Sequence, residues 1–156
     1  MPATFMSLFI LLFSVVLLCF WLRAASQSVL RQRFAENYSD EIAETMQLEF
    51  LAIRRALEES PEDIADYSGL LDTLQRDYEA LTYLLRNAAT VHVGRYSRSE
   101  RLLILDFQLL RLWVQLKRVL GITGWHRSLV EMTRILEYFS NVMGQRLATF
   151  PLPAPR

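Results

Sequence analysis

The side chains from which catalysis or metal binding could be built are two histidines, one cysteine and 17 carboxylates. A helical redox centre turns carboxylates and imidazoles inward, typically as Glu-x-x-His on one helix face. Neither histidine has that partner. His92 has no glutamate near it in sequence, and His126 follows Trp125 at a turn. Both read as ordinary loop residues. Zinc needs a Cys/His cluster at short spacing, and Cys19 stands alone inside an apolar run, where it reads as a small buried hydrophobe. The five glycines are scattered, so no phosphate-cradling loop is present. No serine, histidine and acid stand in a recognisable nucleophile setting. The expectation is a protein that is not an enzyme and holds no metal or cofactor.

Asp106 departs from this pattern. It lies between Leu102, Leu110 and Trp113, in a stretch whose apolar residues cover most of a helix circumference. Lys117 falls near the same meridian, but about 16 Å away along a helix axis, too far to pair. A carboxylate there needs a donor from another helix, an arginine for preference, or its burial is costly. Asp106, Trp113 and Lys117 are therefore the candidates for a buried ion pair or an interface. Tyr83, on the polar face of its helix, is a weaker interface mark.

The elements that must position these residues are read from periodicity and caps. Residues 24–59 contain no Gly or Pro and carry two stripes, first Leu30, Phe34 and Tyr38, then Ile42, Met46, Phe50, Ile53 and Leu57. Ser39-Asp40-Glu41 looks like a helix restart, with Ser39 as the cap, so a break or a bend near Ser39 is equally open. Ser60-Pro61-Glu62-Asp63 opens a second helix over 61–88, with Ile64, Tyr67, Leu71, Leu74, Tyr78, Leu81 and Leu85 on one seam. Ser97 and Glu100 form a capping-box pattern for a third helix over 98–120. Its polar strip is narrow (Arg101, Gln108, Arg111, Gln115, Arg118), so this helix is either the central member or touches another subunit or lipid. Its charges argue against a second span. Gly121 and Gly124 bracket a turn before a last helix over 126–147. That helix carries Leu129, Met132, Ile135, Leu136, Phe139, Met143 and Leu147 on one side, with Arg134, Glu137, Asn141 and Gln145 on the other. Residues 149–156 form a Pro-rich, extended tail. Short connections favour antiparallel neighbours.

Before these helices comes a segment with no charged side chain through Leu22. The run from Phe5 to Leu22 would span about 27 Å as a helix, near the thickness of a bilayer's hydrocarbon. Trp21 suits the headgroup layer and Arg23 can snorkel beside it. A cleaved signal peptide is the competitor, with Ala24-Ala25-Ser26 as the cleavage pattern. The absence of Lys or Arg before the run, and the run's length, favour retention. Arg23, Arg31 and Arg33 on the C-terminal side predict an external N-terminus and a cytoplasmic remainder.

Fold class is thus all-α: one transmembrane anchor (1–23), then an antiparallel four-helix bundle (24–148). After Arg33 the chain carries 14 basic against 17 acidic residues. That excess of acid excludes the basic face a nucleic-acid binder needs. The partners expected are membrane lipid through the anchor, and either another protein or a second copy. The function expected is an accessory or scaffold subunit, with a membrane-anchored signal relay or small-ligand binding as alternatives.

Overall fold

A computed structural model describes residues 2–32, 34, 36–59, 67–89, 96–122 and 124–149. Among these the chain is all-helical, in six helices: α1 (Pro2–Leu30), α2 (Ser39–Thr45), α3 (Phe50–Glu59), α4 (Tyr67–Ala89), α5 (Arg98–Val119) and α6 (His126–Thr149). The cap at Ser60-Pro61, the segment carrying His92, and the Pro-rich tail lie outside the described residues.

The apolar segment is one unbroken helix, and it is long and apolar enough to cross a membrane. Every side chain from Thr4 to Leu18 is exposed, as are Phe20 and Trp21. The helix does not stop at Arg23; it continues to Leu30, where Val29 and Leu30 reach the core.

The stretch over 24–59, whose sequence leaves a break or a bend near Ser39 open, is divided in three. The chain leaves helix after Leu30, and α2 is only two turns long. Ser39 does not cap it. Asn37 Oδ1 accepts from the Ser39 N–H (3.2 Å) and hydroxyl (2.7 Å), while Asn141 Oδ1 of α6 accepts from the Tyr38 N–H at 2.7 Å. These bonds satisfy donors that a helix start leaves without intrahelical partners. α2 then closes as a Schellman motif, the Leu48 N–H reaching Ala43 O at 2.8 Å across Gln47, whose φ is 54°.

α6 occupies the centre. Helices α2, α3, α4 and α5 all pack on it, and α1 packs on α5 and, less extensively, α6. This corrects the expectation that α5 might be the central member: α5 buries a single stripe, Leu103, Phe107, Leu110 and Val114. The seam of α4 (Leu71, Leu74, Tyr78, Leu81, Leu85) is buried, and Tyr78 stacks on Phe107 with ring centroids 4.1 Å apart. Such a stacked pair is worth about 1 kcal/mol beyond its buried area. On α6 the expected apolar side is buried from Leu129 to Met143, whereas Leu147 is exposed. Asn141, read as part of the polar side, is buried because it holds the Tyr38 backbone. On the same face, three residues on, Gly144 lets that segment cross: a Cβ there would stand 2.2 Å from Tyr38 Cβ.

The capping box at Ser97 is present. Ser97 Oγ accepts from the Glu100 N–H (3.2 Å), and Glu100 Oε2 accepts from the Ser97 N–H (3.1 Å). Glu100 Oε1 also receives Arg146 Nη2 at 2.5 Å, joining the start of α5 to the end of α6. Gly121, at φ 66°, ends α5 in a second Schellman turn, with the Ile122 N–H donating to Lys117 O at 2.9 Å.

Candidate functional site

The most consequential polar cluster lies where α1 enters the folded body. Arg23 and Ser26, three residues apart on α1, share the helix face turned toward α5 and α6. Asp106 comes from the middle of α5 and Glu131 from the second turn of α6. Arg23 Nη1 lies 3.7 Å from Asp106 Oδ1, and Nη2 donates to Glu131. Arg127, one turn before Glu131, adds a looser contact at 3.9 Å. The two acids are nearly excluded from solvent, with side chains 4% and 13% exposed, while Arg23 keeps 31%.

The donor that Asp106 requires is therefore Arg23, supplied by α1. Arg23 reaches inward to the two carboxylates rather than outward beside Trp21, which is 72% exposed. Arg23 Nη1, Asp106 Oδ1 and the fully buried Ser26 Oγ all lack a partner at full hydrogen-bond geometry. They sit close enough, nonetheless, to act on one another's charge. Burial pushes the Asp106 carboxyl above the ordinary carboxylate range; the Arg23 guanidinium and the Ser26 hydroxyl draw it back, and Glu131 adds to the rise. Desolvation thus outweighs the attraction of the single guanidinium.

On the solvent side of this cluster an open cleft of 790 Å³ lies between the end of α1, α3 and α6. Arg31, Arg54, Arg127 and Arg134 line it together with Glu137 and Asn141. Arg54 is paired there with Glu137. On the side of the apolar run a second groove, 690 Å³ and mainly apolar, separates Val15, Val16, Cys19 and Phe20 from Trp113 and Lys117. Cys19 is half-buried along it rather than enclosed. Trp113 is 51% exposed, with Lys117 Nζ 5.6 Å from its ring centre. That ammonium donates to Gly124 O at 2.9 Å. Trp113 and Lys117 thus share a groove with Arg23, while Asp106 faces the cleft on the other side.

Two further polar groups, one buried and one half-buried, were not legible as such. Asp77, 2% exposed, accepts from the N–H groups of Glu49 (2.8 Å) and Phe50 (2.9 Å), so α4 caps the start of α3. Burial raises its carboxyl, while those two hydrogen bonds and Arg76 oppose the rise. His126 is more than a loop residue: its Nε2 lies 2.6 Å from Leu57 O near the end of α3. Among the described residues no group of three or more His, Cys, Asp or Glu could hold a metal ion. Tyr83 is exposed on α4, 67% accessible.

Fold and site together define an all-helical protein with one candidate membrane-spanning helix, joined to its body by a buried charge cluster. Comparison with family models, with curated proteins and with solved structures finds no match for this chain.

Proposed function

We propose that the chain is a single-pass membrane scaffold or accessory subunit, acting by protein–protein contact from an antiparallel four-helix bundle held at the membrane surface. The observation that carries this reading is the Arg23–Asp106–Glu131 cluster. A helix that merely tethers needs no buried polar joint to the body it carries. Here the anchor continues two turns past the apolar run and places its first cation between the buried Asp106 and the mostly buried Glu131. That arrangement supports a body fixed in one orientation, with the cleft of Arg31, Arg54 and Arg134 offered beside the membrane to a polar segment of a partner or of a second copy. The segment is retained in this reading, since cleavage after Ser26 would remove both Arg23 and the buried Ser26. Arg23, Arg31 and Arg33 favour an external N-terminus and a cytoplasmic body.

A signal relay built on one continuous helix through residue 59 is less well supported, because α1 ends at Leu30 and α2 and α3 are separate short helices. The test is photocrosslinking in native membranes, with the crosslinker at Arg134 in the cleft or at Tyr83 on α4. A discrete adduct from position 134 alone is expected, at twice the chain mass if the partner is a second copy. Equal adducts from both positions, or none from 134, would sink the proposal.

A further inference from the structure

Outside α1, nine large apolar side chains are exposed among the described residues, and six of them fall between positions 112 and 122: Leu112, Trp113, Leu116, Val119, Leu120 and Ile122. The charge pattern of the same region is one-sided. Between Asp106 and Glu131 stand Arg111, Lys117, Arg118 and Arg127, and no acid. In a chain with equal numbers of acidic and basic residues, the sequence that carries this exposed apolar surface thus holds four cations and no acid.

The position of this surface follows from two contacts. Arg23 of α1 is level with Asp106 of α5. Further along, Val15 and Val16 share a groove with Trp113 and Lys117. Residue numbers therefore fall along α1 as they rise along α5, and Lys117 lies about 16 Å beyond Asp106 toward the N-terminal side. That distance carries the end of α5 past Arg23 and alongside the apolar run itself. The turn that ends there is hydrogen-bonded internally: Leu116 O, Lys117 O and Arg118 O accept from Leu120, Ile122 and Gly121, and Gly124 O accepts from Lys117 Nζ. Backbone satisfied within its own turn is what a non-aqueous setting demands.

We propose that the end of α5 and the turn into α6 are a second membrane contact, seated in the leaflet that α1 enters. Leu116, Val119, Leu120 and Ile122 enter the acyl layer beside the apolar run of α1, Trp113 lies nearer the headgroups, and Arg111 and Arg127 meet anionic phosphates there. Lys117 and Arg118 snorkel back toward the same phosphates. The charges of α5 forbid a second full span, so the insertion is partial. With two attachments, one spanning and one partly inserted, the body cannot rotate about α1.

The inference rests on α1 being a span, so the experiment reads both. Full-length protein carrying Cys19→Ser receives single cysteines in place of Leu116, Val119, Ile122, Phe13 or Tyr83, each exposed and so tolerant of replacement. Each is labelled with bimane and reconstituted in phosphatidylcholine vesicles containing one quarter phosphatidylglycerol. Doxyl-labelled lipid is expected to quench positions 116, 119 and 122 at least about twofold more than position 83, as contact with the acyl layer requires. Position 13 serves as the span control. Quenching at 13 but not at 116, 119 and 122 overturns the second contact and leaves the anchor standing. No quenching at 13 removes both. Shielding of 116, 119 and 122 from lipid and from aqueous iodide alike would place a protein there, and would also overturn the proposal.

Discussion

Replacing Arg23 by Met removes the cation while keeping most of the side-chain volume. The two acids it serves, 4% and 13% exposed, are then left facing each other in the interior. Breaking a buried ion pair by removing one partner costs about 3–5 kcal/mol. Arg23 is itself 31% exposed, so solvent screening brings the expected cost to about 2–3 kcal/mol. For a domain of this size that lowers Tm by about 5–10 °C. The loss depends on pH, and its sign follows from Asp106, whose folded carboxyl already lies above the ordinary value because burial dominates. A raised folded value means that the native state binds the proton more readily, so stability is lost as pH rises through that value and regained as pH falls toward the unfolded one. Without Arg23 the value rises further, because the main opposing charge is gone. The deficit of Arg23→Met should therefore be large at about pH 7.5 and visibly smaller at about pH 5. Asp106→Asn in the same background should restore much of the loss, and alone should change stability by less than about 1 kcal/mol. Circular dichroism melts of the full chain in mild detergent read the three variants against the unsubstituted chain. A deficit in Arg23→Met under about 1 °C, or one that does not change with pH, would refute the reasoning.

Three other perturbations follow from the fold. Asp77→Ala strips the acceptor from the Glu49 and Phe50 N–H groups; a loss of about 1–2 kcal/mol is expected in the same melts, with faster amide exchange at those two positions. Gly144→Ala places a methyl 2.2 Å from Tyr38 Cβ. The backbone must shift, so a loss of about 1–3 kcal/mol is expected, with the Tyr38–Asn141 hydrogen bond disturbed in NMR spectra. Gln47→Gly relieves a left-handed residue at φ 54° and should raise stability by about 0.5–1 kcal/mol; an unchanged or lower melting temperature would contradict it.

What the sequence made legible was what local rules govern. The long apolar helix follows from an uninterrupted apolar run, the start of α5 from Ser97 and Glu100, and the buried stripes of α4 and α6 from their spacing. The break of residues 24–59 into pieces was hidden because the usual punctuation is missing. Gln47 occupies the left-handed position that glycine ordinarily marks, and the caps of α2 come from Asn37 and from Asn141, a hundred residues away in sequence. Asp106 advertised its need for a donor by standing among leucines, but not the donor's identity. Arg23 looked committed to the membrane surface, since nothing local says that α5 and α6 both pass beside it. Asp77 was hidden for a simpler reason. On a helix wheel it sits away from the core seam, and only the packing of α3 against α4 buries it.

The most direct test of an anchor that is also part of the fold is made on membranes washed at alkaline pH. Peptide mapping of the chain that stays in the pellet should recover the segment through Ser26, Arg23 included, joined to the helical body. A chain released into the wash, and beginning at Gln27, would contradict it.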